Sequence, residues 1–173
     1  MRNISTLLLL VIVLMTIDPI VASSVLRFTR DDEYRGEQLL DALEKNKFML
    51  LNDLLEKGVS VNDSYRTENG ATALIKAAEL GCDRIVKFLL FNEKNKCDAN
   101  AVDSLGRTAL MRASHYGHIE TVKLLLRYKE IKVNATDSDG CTALMSATDF
   151  GFVNVVELLL RDQRTDVRAV DAT

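Results

Sequence analysis

The sequence predicts an all-α fold, a solenoid of helix-turn-helix pairs joined by hairpin loops, and three observations carry that prediction. One block recurs in register: "GATALIKAAELGCDRIVKFLL" begins at Gly70, "GRTALMRASHYGHIETVKLLL" at Gly106 and "GCTALMSATDFGFVNVVELLL" at Gly140. Inside each block apolar residues return at the spacing of one helix face. Between blocks lie "DANAVDSLG" and "KVNATDSDG", rich in the Asn, Asp, Ser and Gly that suit turns. The composition agrees with one globular unit: 173 residues, 47% hydrophobic and 27% charged, with a single proline.

The chain opens with a leader. Arg2 precedes an apolar run over residues 7–15, then come Asp18-Pro19 and the small residues Ala22, Ser23 and Ser24. Residues 1–23 therefore read as a signal peptide, because the unbroken apolar run is much shorter than the roughly 20 residues that cross a bilayer. Export to the periplasm or outside the cell is the expectation; the alternative is an uncleaved membrane anchor over residues 4–22. Residues 24–36 form a polar segment, and the charged stretch "RFTRDDEYRGEQ" would give the first repeat a wettable cover. The repeat domain then spans 37–173, divided as 37–69, 70–105, 106–139 and 140–173.

Each block starts with a threonine, Thr72, Thr108 or Thr142, whose side-chain oxygen can cap a helix of about eight residues. Ala77, Ala113 and Ala147 supply small side chains where helices approach closely. Gly81, Gly117 and Gly151 end that helix, glycine tolerating the left-handed backbone. A second helix follows, its buried face predicted at Val86, Leu89 and Leu90, at Val122, Leu125 and Leu126, and at Val156, Leu159 and Leu160. A weaker copy precedes these, with Leu39, Leu40 and Ala42 in its first helix, Leu51, Leu54 and Leu55 in its second, and Asn46 where later copies have glycine.

This pattern resembles the ankyrin repeat family, whose consensus has a Thr-Pro-Leu-His opening, a helix pair, a glycine turn and a Val-Asn-Ala-x-Asp hairpin. The resemblance covers residues 36–171. Here the opening reads Thr-Ala-Leu-Ile once and Thr-Ala-Leu-Met twice. Loss of the proline removes some preorganisation, and loss of the histidine implies fewer side-chain hydrogen bonds between repeats.

The resemblance implies a protein-binding module whose contacts lie at the hairpin tips, beside the repeat glycine, and just before the helix-ending glycine. Those positions are Glu68, Asn69, Ala71, Glu79 and Leu80; Ser104, Leu105, Arg107, His115 and Tyr116; and Ser138, Asp139, Cys141, Asp149 and Phe150. Leu80, Leu105, Arg107, His115, Tyr116, Asp139, Asp149 and Phe150 are the candidate partner-binding residues. Leu80, Tyr116 and Phe150 are equivalent positions, either a stripe facing a partner or packing folded under the hairpins.

Other readings weigh less. Asp149-Phe150-Gly151 spells a kinase magnesium motif, yet it falls in register with Glu79-Leu80-Gly81, and no glycine-rich phosphate loop or His-Arg-Asp loop accompanies it. His115 and His118 flank a turn without further Cys, His or carboxylate at metal-ligand spacing, so neither a metal nor a cofactor is expected. No nucleophile, base and orienting group recur at plausible spacing, so the expected protein is not an enzyme. A net charge of −3 with interspersed signs gives no basic stripe for nucleic acid. Three cysteines, Cys82, Cys97 and Cys141, cannot close an intramolecular framework and are expected reduced, which sits awkwardly with an oxidising destination.

Asn62-Asp63-Ser64 and Asn134-Ala135-Thr136 match the glycosylation sequon and also the family's hairpin. The expected function is non-enzymatic capture of a protein partner in a concave groove, with no membrane contact after leader cleavage; the alternative is a secreted effector or inhibitor of a host or periplasmic target. Leu158, Leu159 and Leu160 in the fourth repeat suggest an apolar end covered by the tail or by another molecule, including self-association through that repeat.

Overall fold

A computed structural model describes residues 36–62, 69–92, 94 and 97–168. The leader, nearly all of the polar segment and Glu68 lie outside the described residues. Helix α1 covers residues 36–44. It is followed by α2 (Phe48–Glu56), α3 (Ala73–Glu79), α4 (Asp83–Phe91), α5 (Ala109–His115), α6 (Ile119–Arg127), α7 (Ala143–Asp149) and α8 (Val153–Arg161). The fold is all-helical.

The pairs stack in two rows. First helices pack on first helices, α3 on α5 and α5 on α7, while α4 packs on α6 and α6 on α8. Ala77, Ala113 and Ala147 are fully buried, which lets the first row approach closely. Leu74, Ile85, Leu89, Leu110, Leu125 and Leu159 fill the space between rows. Each buried leucine contributes about 2 kcal/mol through removal of apolar surface from water.

The threonines cap as expected, and in two of the three openings the methionine at the histidine position completes the cap. The Thr72, Thr108 and Thr142 hydroxyls accept from the backbone N–H of Ile75, Met111 and Met145. In return the thioether sulfurs of Met111 and Met145 accept from the N–H of Thr108 and Thr142, each at 3.4 Å. Bonds between repeats arise elsewhere. Thr121 donates to Asp83 at 2.6 Å, and a His118 ring nitrogen lies 2.9 Å from the Glu79 carbonyl.

Asn46 occupies its glycine-equivalent position at φ +49°, one of the few non-glycine residues that tolerate the left-handed region. In the second helices the predicted face is buried in full in α4, at Val86, Leu89 and Leu90, and in part in α6 and α8, at Val122, Leu125 and Leu159, and it is wider by one residue than predicted. Ile85, Thr121 and Val155 are fully buried, whereas Leu126 and Val156 are half-buried and Leu160 is exposed. Leu160 is exposed because no described helix packs on that side of α8.

Hairpins are tied to one another by backbone and asparagine bonds. The Ser104 N–H donates to the Asn69 carbonyl at 2.8 Å and the Ser138 N–H to the Leu105 carbonyl at 2.9 Å. Asn62, Asn100 and Asn134 each accept from a backbone N–H one repeat onward, at Asp98, Lys132 and Asp166. Asn100 and Asn134 also donate to the carbonyls of Glu130 and Arg164. The repeat thus uses both sequon asparagines in its own scaffold.

Candidate functional site

The end of each first helix sets the site. Tyr116 and Phe150 follow α5 and α7, and their backbone N–H groups donate to the carbonyls of Arg112 and Ser146. The next residue is glycine at φ +70° in both cases. That turn holds the preceding side chain out from the helix axis. Leu80, Tyr116 and Phe150 are 37%, 43% and 55% exposed, so they stand at the surface rather than beneath the hairpins.

His115 links Tyr116 to Phe150 through edge-on and tilted ring contacts. The His115 ring centroid lies 4.7 Å from that of Tyr116 and 4.0 Å from that of Phe150 in the next repeat. The Tyr116 ring faces His118 at 6.2 Å and lies 5.0 Å from the guanidinium carbon of Arg112. Arg112 is only 6% exposed, and it donates to the Glu79 carboxylate of the preceding repeat at 2.6 Å. No sequence pattern singled out Arg112. Its equivalents are Lys76 and Ser146, and its burial comes from neighbours a full repeat away.

Burial alone would raise the Glu79 carboxyl, but hydrogen bonding and charge from Arg112, with Lys76 beside it, hold it below the usual value. The opposite holds for His115. Partial burial, then the positive charges of Arg112 and Arg107, outweigh the pull of Glu79 and keep its imidazole below its ordinary pKa.

Hairpin aspartates fix the other wall. Asp103 accepts from the backbone N–H of Leu105 and Arg107 and pairs with the Arg107 guanidinium at 2.7 Å. Asp137 repeats the arrangement, accepting from the N–H of Asp139 and Cys141. Between this wall and the helix ends lies a cavity of about 200 Å³. Leu105, Arg107, His115, Asp139, Asp149 and Phe150 all line it, together with Arg112. Leu80 and Tyr116 extend the same strip outside that cavity.

One contact position implied by the resemblance, Ala71, sits otherwise, and another, Cys141, lines the cavity. Ala71 is 4% exposed and packs in the core, while Cys141 is half-buried on the cavity wall. All three cysteines are thiols rather than disulfide halves. Burial pushes the Cys97 thiol up to about 12 and raises that of Cys82, whose sulfur lies 3.7 Å from the Leu43 carbonyl. Thiols held protonated are poor nucleophiles. Among the described residues no three His, Cys, Asp or Glu side chains are grouped to hold a metal ion, and no helix is long and apolar enough to cross a membrane.

A larger hollow of about 460 Å³ lies between α6 and α8 and holds none of the candidate residues. Most of its charges are answered locally: Lys123 by Glu120, Arg161 by Glu157 and Asp162 by Arg164.

Stacked helix pairs with one open face of hairpins and helix ends define a repeat solenoid, a scaffold that presents a surface rather than enclosing a reactant. Family models described as ankyrin repeats match residues 83–171 (3 copies) and 54–110 (many copies), and the chain belongs to the ankyrin repeat family. Ankyrin repeats are protein–protein interaction modules.

Among curated proteins the chain is 36% identical over 111 residues to ankyrin repeat and SAM domain-containing protein 6 of Rattus norvegicus, covering 64% of this chain and 12% of that protein. It is 35% identical over 95 residues to the E3 ubiquitin-protein ligase XBAT33 of Arabidopsis thaliana, covering 54% and 18%. To the probable E3 ubiquitin-protein ligase XBOS33 of Oryza sativa subsp. japonica it is 40% identical over 86 residues, covering 49% and 16%. The chain thus spans less than a fifth of each relative.

Proposed function

We propose that this chain is a non-enzymatic, exported interaction module that captures a protein partner on the concave face, with Leu80, Tyr116 and Phe150 as anchors. One observation carries the reading: the same structural position is apolar or aromatic and exposed in three successive repeats. Large side chains at one exposed position across a rigid scaffold are suited to anchor a partner, because aromatics contribute much contact area at low entropic cost. The surrounding groups are already fixed, Arg112 by Glu79 and Arg107 by Asp103, so little ordering remains to be done on binding.

The test compares the chain with a Tyr116→Ala/Phe150→Ala double variant in affinity capture, alongside thermal melts. Loss of the captured partner with a nearly unchanged melting temperature is the expected result. A stability loss of about 3 kcal/mol or more, the size seen for core aromatics, would make these residues packing elements instead. Export rests on residues 1–23, and N-terminal sequencing checks it: an intact Met1 in the membrane fraction would count against cleavage.

A further inference from the structure

The cavity between the hairpin wall and the ends of α5 and α7 has a charge imbalance that the fold does not resolve. Its two arginines are each ion-paired, Arg107 with Asp103 and Arg112 with Glu79, while the buried Nε of Arg112 has no hydrogen-bond partner among the described residues. Partial burial and the two arginines hold the His115 imidazole below its ordinary pKa, which disfavours a third positive charge there. The remaining charged lining groups are Asp137, Asp139 and Asp149. Asp137 spends one oxygen on backbone N–H groups, while Asp139 and Asp149 are exposed and form no ion pair among the described residues.

Asp149 is also badly placed for stability. It is the last residue of α7, where the helix dipole disfavours negative charge. Glu79 ends α3 in the same register but is answered by Arg112 and Lys76. Lys76, three residues before Glu79 on the same helix, is replaced by Ser146 before Asp149, and among the described residues no ion pair reaches Asp149. Next to these carboxylates stand two exposed apolar side chains, Phe150 and Leu105, the latter 48% exposed.

We propose that this cavity binds a polypeptide segment carrying a lysine or arginine beside a large apolar side chain, the cation meeting Asp139 and Asp149 and the apolar group packing on Phe150 and Leu105. This deepens the concave-face reading and rests on it. Charge complementarity selects the occupant: an acidic segment would meet three carboxylates and only neutralised arginines, and a purely polar one would leave Phe150 wet.

The experiment titrates the full chain against three fluorescein-labelled synthetic peptides of equal length: lysine with leucine, glutamate with leucine, and lysine with serine. The lysine–leucine peptide is expected to bind at least about tenfold tighter than either other. Asp139→Asn/Asp149→Asn should weaken it by about two- to tenfold, two exposed pairs contributing up to about fivefold each, and added salt should act in the same direction. Phe150→Ala should also weaken it. Asp149→Asn should leave the melting temperature unchanged or raised, and a fall would overturn the inference that Asp149 serves a partner. Equal binding of the basic and acidic leucine peptides, both weakened by Phe150→Ala, would refute the basic partner while keeping the concave face. If no peptide's binding responds to Phe150→Ala, the concave-face reading fails with it.

Discussion

Arg112 shows how stacking turns a surface position into an interior one. In isolation its helix would leave it in water; in the stack, Glu79 comes from the preceding repeat and Tyr116 from its own. Removing one partner of a buried pair costs roughly 3–5 kcal/mol, and the 21% exposure of the Glu79 side chain lowers that here. Arg112→Ala should therefore destabilise the protein by about 2 kcal/mol in urea unfolding, and Ser146→Ala, at the equivalent position, by much less. His115 gives a pH signature. Its folded pKa lies below the ordinary 6.5, so the unfolded chain binds more protons between the two values and stability rises with pH there. That contribution is complete above the ordinary value and lost as pH falls toward the folded one. Unfolding curves taken from pH 8 down to 5 should show the decline, and His115→Gln should flatten it. These two residues divide legibility at this scale: His115 was readable from its place before the glycine, whereas Arg112 acquires its role only from a residue 33 positions away.

Helix boundaries were legible because capping is local chemistry. Thr108 and Gly117 bracket α5, and each acts through atoms within a few residues. The methionine half of the cap was not legible, since a thioether is a weak acceptor and nothing in the letters Thr-Ala-Leu-Met announces it. Met111→Leu keeps the volume and removes the acceptor, so about 1 kcal/mol should be lost, within the range of volume-conserving core swaps plus one weak bond. Thr108→Ala should cost about as much. Gly117→Ala should cost more, about 2 kcal/mol or above, for two separate reasons. A side chain at φ +70° is strained by roughly 1–2 kcal/mol, and its Cβ would collide with the Phe152 ring of the next repeat. Gly58 separates the two effects, having φ +85° but no atom within 4 Å of a Cβ. Gly58→Ala should show the strain alone, and equal losses at the two glycines in chemical denaturation would show that the Phe152 contact is yielding.

A solenoid holds each repeat by its neighbours, so stability along this chain should follow how much each pair buries. The third pair is enclosed on both sides: all residues from Ala109 to Ser114 are buried in α5, with Thr121, Val122 and Leu125 in α6. The fourth buries only Ala143 and Ala147 in α7 and Val155 and Leu159 in α8, leaving Phe150, Val153 and Leu160 exposed. What ties it down is partly one loop residue. Arg164, held by Asp162, donates to the carbonyls of Leu126 and Lys129 at 2.7 and 3.3 Å, satisfying the open C-terminal end of α6 from the repeat beyond it. The repeat period made this stacking order visible in the sequence; the clamp was not, because Arg164 lies outside every repeated block. Native-state hydrogen exchange should accordingly show α7 and α8 opening together at lower free energy than α5 and α6. Arg164→Ala should accelerate exchange in α7, α8 and the last turn of α6 while leaving α3 and α4 unchanged. If protection instead falls evenly across all four pairs, the molecule unfolds as a single cooperative unit and Arg164 is not a repeat-specific clamp.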